Sequence, residues 1–189
     1  VLDAAVLLIA RLRVALGWVF GVLVLVLAQP TRTSVAAGAA IAAVGEAIRI
    51  WAAGHLNKAR EVTSSGPYRF VGHPLYVGSS VMGAGVAVAC ASVPVAVLIA
   101  LYLATTLTAA IKSEEAYLRR AFGEQYDLYR RGVAAKRVSP GARLRRFSLQ
   151  QAFANREYRA VVGLVIAILL LALKATYNGF FWRAAAGPQ

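Results

Sequence analysis

Residues 34–53 read SVAAGAAIAAVGEAIRIWAA. A helix of ~20 mostly apolar residues spans the hydrocarbon core of a bilayer. The only charges here, Glu46 and Arg49, lie three apart and therefore share a helix face. Charges within a span are expensive and face the protein interior, a cavity or each other. Two readings stand: an ion pair that locks a bundle, or the polar wall of a buried pocket. Trp51 is either an interfacial anchor or part of a lipid-side entrance.

Working outward, the chain of 189 residues is 59% hydrophobic, with a mean hydropathy of +0.62. That exceeds the apolar share of ordinary soluble domains. Further spans are expected at about 12–29, 75–91, 94–111 and 160–177. The first carries Arg11 and Arg13 at its start and runs too far for a cleavable signal peptide. The fold expected is all-α: a single membrane domain over 1–189, with about five transmembrane helices and a cytoplasmic helical segment between the fourth and fifth. No internal repeat is visible.

The formal charge is +13. Cytoplasmic loops rich in Lys and Arg account for it better than nucleic-acid binding does. Lys58, Arg60 and Arg69 lie between spans two and three, and 113–159 has eleven Lys or Arg against five acids. The turn at 92–94 has no charge. This pattern predicts a cytoplasmic N-terminus and both long loops in the cytoplasm, with Arg32 and Arg183 against the trend. The single cysteine, Cys90, lies in an apolar run, reads as a small hydrophobe and allows no internal disulfide. His, Cys and Asp are too few for a metal cage. Oligomeric state has no signature in the sequence.

The stretch 113–159 is too long for a plain connector. SEEAYLRRAFGEQYDLYRR has Leu118, Phe122 and Tyr129 at helical spacing. It predicts a helix starting after Ser113, with Glu114 and Glu115 in a first turn whose dipole favours acids. Ser148-Leu149-Gln150-Gln151 matches a capping box. The basic run 143–147 before it either lies on anionic headgroups or is a solvated face.

Residues 66–78 read GPYRFVGHPLYVG. Gly66-Pro67 forces a turn. Pro74 suits the first turn of a helix, where its missing N–H needs no partner. The third span therefore starts at Pro74 with His73 at its mouth, where free N–H groups and the helix dipole favour an anionic group. His73 and Tyr76 project nearby, and Glu114 and Glu115 follow span four on the same membrane face. Gly83-Ala84-Gly85 in span three either permits helix packing or lets a ligand approach the backbone.

These residues resemble a known family. Gly66-Pro67-Tyr68, His73-Pro74-x-Tyr76-x-Gly78, Glu114-Glu115 and Phe122-Gly123-x-x-Tyr126-x-x-Tyr129 are similar to the integral-membrane methyltransferases typified by isoprenylcysteine carboxyl methyltransferase. Phospholipid N-methyltransferases share a related pattern. The resemblance covers about 45–140, and RIWAAGHLNK at 49–58 is similar to the lead-in of bacterial members. It implies a multi-pass protein of a bacterial inner membrane, S-adenosylmethionine bound at the cytoplasmic face, a lipophilic acceptor drawn from the membrane, and no metal. The implied cofactor contacts are Lys58, Tyr68, His73, Pro74, Tyr76, Gly78, Gly83, Gly85, Glu114 and Glu115. Glu46, Arg49 and Trp51 would face the acceptor, with Glu115, Glu46 and Arg49 as catalytic candidates. The family's Arg before His-Pro is Gly72 here, with Arg69, Lys58 or Arg137 as possible substitutes. Two rival readings are an NADPH-dependent membrane reductase of the sterol reductase type and a non-enzymatic small membrane protein.

Overall fold

The computed structural model describes residues 17, 19–57, 62–131 and 146–185, with side chains as far as 177. A helical stretch at 19–27 (α1) precedes α2 (Arg32–His55), a 3-10 turn (Gly66–Arg69), α3 (Pro74–Cys90), α4 (Val93–Phe122), α5 (Glu124–Arg130), α6 (Leu149–Ala154) and α7 (Tyr158–Ala185). No strand occurs among the described residues. The all-α expectation holds.

Local chemistry sets the helix ends. Ser34 N–H donates to Thr31 Oγ1 at 3.0 Å and Thr31 N–H donates to Ser34 Oγ at 2.9 Å. This reciprocal cap starts α2 at Arg32, two residues before the sequence-based start. Pro74 opens α3 as expected, with His73 as its N-cap. Ala91, at φ 47°, closes it in the left-handed region, and Ser92 leads directly into α4.

Helices α2 and α3 approach at backbone distance. A Cβ on Gly45 would lie 2.3 Å from Met82 N, and one on Gly85 would lie 2.4 Å from Ala42 N. Gly38, Ala42 and Gly45 thus face Gly78, Gly85 and Ala89 along one stripe. Within a bilayer, where hydrophobic burial gives no net pull between helices, such small residues gain attraction through close packing. The apolar core lies at the far end of α3, around Val24, Ala28, Val35, Cys90, Val95 and Leu171. Cys90 is buried there, as its apolar reading predicts. Lys174 on α7 donates to the carbonyls of Leu25 and Val26 at 2.8 Å each, tying down the end of α1. Outward-facing Val97, Leu101, Val165, Ile166 and Leu169 are exposed, as suits surfaces meeting lipid.

Three described helices are long and apolar enough to cross a membrane: Arg32–His55, Val93–Phe122 and Tyr158–Tyr177 within α7. Five spans were expected. α3 is apolar but has 17 residues, about 26 Å at ~1.5 Å rise each. The N-terminal part of the first expected span falls outside the described residues. Two details of the 113–159 reading change. No new helix starts after Ser113, because α4 runs unbroken through it to Phe122. Of the capping box, Ser148 Oγ accepts from Gln151 N–H at 3.2 Å, but the Gln151 amide donates to Leu56 O at 3.0 Å.

The unequal hairpin positions the polar residues. Counting 17 residues back from the Ala91–Ser92 turn reaches Pro74. The same run forward reaches Ala109, and α4 continues 13 residues beyond it. Its overhang carries Glu114 and Glu115 past the mouth of α3, where His73 sits.

Candidate active site

His73 Nε2 lies 3.3 Å from Glu115 Oε1, and Nδ1 lies 3.7 Å from Glu114 Oε2. The two acids are neighbours on α4, so they straddle the imidazole rather than stacking on one side of it. Tyr76, one turn into α3, has its ring 5.7 Å from that of His73 and meets Glu114. Behind them Tyr68 is buried, and its carbonyl accepts from Tyr129 Oη at 2.9 Å. Gly123, at φ 47°, makes the bend that folds α5 back to deliver Tyr126 and Tyr129. Burial pushes the Tyr129 phenol up to about 12, with Tyr126 and Glu114 adding to it. Burial, then Glu114, raises Tyr68 further. Both phenols stay protonated at neutral pH.

The carboxylate of Glu114 is the main influence raising His73 above its ordinary value near 6.5; burial opposes it, and Glu115 adds to it. The fold therefore favours the imidazolium. Its contribution to stability is complete below about 6.5 and disappears as pH rises through the raised value. In thermal unfolding between pH 5.5 and 9, the wild-type advantage over His73→Gln is expected to shrink with rising pH. A gap independent of pH would show that the acids do not hold a charged His73.

A groove of about 650 Å³ runs from this cluster between α3 and α4. His73 and Gly72 stand at its mouth, Tyr76 and Ser80 line one side, and Leu103 and Leu107 the other. A Cβ on Gly72 would meet nothing within 4 Å, so the family's Arg position is open space here.

Arg49 anchors a second cluster. Its Nη2 lies 2.6 Å from Glu157 Oε1, its Nε lies 3.6 Å from Glu46 Oε2, and its Nη1 donates to Ser79 Oγ. The two clusters adjoin, because Arg49 reaches Ser79 on α3, three residues beyond Tyr76.

The structure thus brings together His73, Tyr76, Tyr68, Glu114 and Glu115, and beside them Glu46 and Arg49. Other sequence-based candidates lie elsewhere. Gly78 and Gly85 face α2, and a Cβ on Gly83 would strike Leu103 at 2.3 Å, so none offers bare backbone to a cofactor. Trp51 is 43% exposed and meets His55 edge-on. Lys58 and Arg137 lie outside the described residues, and Arg69 is exposed.

Sequence reasoning missed two residues. Arg130 Nη1 reaches Glu115 Oε1 at 2.8 Å, bringing a cation to the cluster. Its signal was its place directly after Tyr129 of the aromatic motif. Glu157 is the last acid in the chain, alone after Asp127 within a basic segment.

Residues 16–125 match a family profile described as phospholipid methyltransferase. The chain belongs to the phospholipid methyltransferase family. The resemblance drawn from the His-Pro and Glu-Glu motifs therefore holds at family level. The chain is also 36% identical over 99 residues to the nickel-cobalt-cadmium resistance protein NccN of Alcaligenes xylosoxydans xylosoxydans. That match covers 51% of this chain and 45% of that protein, so the chain spans less than half the length of this relative. No solved structure matches. The family match takes in Glu46, Arg49, His73, Tyr76, Glu114 and Glu115 and stops before Tyr126, Arg130 and Glu157.

Proposed function

We propose that this member of the phospholipid methyltransferase family transfers a methyl group from S-adenosylmethionine to a lipophilic acceptor held in the membrane, at a site opening to the cytoplasm. The observation that carries the reading is the convergence of Glu114 and Glu115 on His73, which together with Tyr76 lines an apolar groove. When bound, S-adenosylmethionine supplies an electrophilic methyl group on a cationic sulfonium. The donor set fits that molecule. Carboxylates accept from an ammonium or from ribose hydroxyls, and protonated phenols and an imidazole supply complementary donors. The groove volume is also within the range usual for ligand sites.

In this reading Glu114 and Glu115 hold the methyl donor and His73 and Tyr76 orient it. The groove walls admit the apolar part of the acceptor and keep water out. Fixing two reactants at near-attack distance can supply roughly 7–11 kcal/mol of the barrier. A carboxylate acceptor, such as a prenylcysteine or isoprenoid acid, needs no base. A lipid amine must lose a proton, and Glu115 at the cluster or the buried Glu46 is the group to take it. Arg49 lies beside Glu46.

The test is to incubate purified protein and native lipid extract with methyl-labelled S-adenosylmethionine and to identify the labelled product. Label in a lipid-soluble species is expected. No transfer and no affinity for S-adenosylhomocysteine would overturn the reading, and affinity for NADPH instead would favour a reductase.

A further inference from the structure

Glu157 lies beyond the family-matched residues yet is 7% exposed and sits 2.6 Å from Arg49. The local fold turns it inward. α6 ends with Arg156 N–H donating to Phe153 O at 2.8 Å and Glu157 N–H donating to Ala152 O at 3.2 Å. These bonds place Arg156 at φ 61°, a left-handed position that usually falls to glycine. A non-glycine residue held there is a conformation that the surroundings must enforce.

The same strap, 147–157, is docked by bonds that do not involve Glu157. Asn155 Nδ2 donates to Ala53 O and Leu56 O at 2.8 and 2.9 Å, and Ser148 N–H donates to Gly54 O at 3.2 Å. They satisfy carbonyls that the end of α2 would otherwise leave unpaired. Glu157 does something different. Arg49 stands between two carboxylates, Glu46 on its own helix at 3.6 Å and Glu157 at 2.6 Å. The closer one draws the guanidinium away from α2 to where it also meets Ser79, and Ser79 Oγ donates to Leu75 O at 2.9 Å in the first turn of α3. Without Glu157, Arg49 is free to fall back on Glu46, three residues away on the same face.

We propose that Glu157 is a positioning residue for methyl transfer, holding Arg49 against the first turns of α3 and thereby fixing the wall beside Tyr76. This rests on the function proposed above. The full chain in nanodiscs tests it with Glu157→Gln, Glu157→Asp and Asn155→Ala. Glu157→Gln is expected to lower kcat roughly tenfold or more while S-adenosylhomocysteine affinity stays within about threefold, the mark of a defect in alignment rather than in binding. Glu157→Asp recovers most of the rate. Asn155→Ala lowers the unfolding temperature and leaves kcat within about threefold. Hydrogen exchange over 75–82 rises in Glu157→Gln and not in Asn155→Ala. Equal loss of stability and rate in Glu157→Gln and Asn155→Ala would overturn the proposal, as would unchanged exchange over 75–82 in Glu157→Gln. A wild-type chain that neither binds S-adenosylhomocysteine nor transfers methyl defeats the functional reading alone, and the exchange comparison still decides whether Glu157 fixes α3.

Discussion

Glu115→Gln is expected to weaken S-adenosylhomocysteine binding by about 10–100-fold, because a hydrogen bond to a charged group contributes about 1.5–3 kcal/mol. The amide keeps the volume and one carbonyl oxygen but loses the charge. In the native cluster Glu115 Oε1 is shared between His73 at 3.3 Å and Arg130 at 2.8 Å. A carboxylate with two cationic partners is well oriented and still has a second oxygen to offer. The change should cost little stability, since Arg130 is half exposed and water can take over its solvation. That separation makes the result readable: the folded fraction stays and the affinity falls. Calorimetric titration of the solubilised protein checks it. Unchanged affinity removes Glu115 from the donor site and leaves Glu114 and His73 to carry it.

How far the sequence reaches depends on the kind of information each residue carries. Pro74 and His73 were legible because a missing N–H has one comfortable place in a helix, and the structure puts α3's start there. The meeting of His73 with Glu114 and Glu115 was legible because the start of span three and the end of span four fall on the same membrane face. That placement did not show that α4 continues through Ser113, because a serine followed by two acids has the signature of a helix start. Only packing and continuous backbone bonding decide otherwise. Glycines gave the opposite problem. Gly78 and Gly85 fit equally well beside a ligand or beside another helix, and the choice lay with Gly38 and Gly45, more than thirty residues away. Glu157 was out of reach for a related reason. It pairs with Arg49, more than a hundred residues away, and no periodicity links them.

The glycine stripe leads to the largest expected effect on folding. Gly45→Ala should destabilise the protein by about 2–3 kcal/mol, although alanine is the better helix former by about 1 kcal/mol. The added methyl would lie 2.3 Å from Met82 N and 2.7 Å from Gly78 O. Both are backbone atoms of α3, so no rotamer change relieves the clash and the helices must separate. Gly163 on α7 is the control, because a Cβ there meets nothing within 4 Å. Gly163→Ala should therefore keep the propensity gain and stabilise by up to about 1 kcal/mol. Unfolding of both variants in the same detergent gives the comparison, and effects of equal sign would refute backbone contact between α2 and α3. The consequence reaches the site, since Arg49 lies one turn beyond Gly45 and Ser79 directly follows Gly78. Moving α2 away from α3 lengthens the Arg49–Ser79 contact. Activity in Gly45→Ala should thus fall even under conditions where the protein remains folded, whereas Gly163→Ala should leave it unchanged.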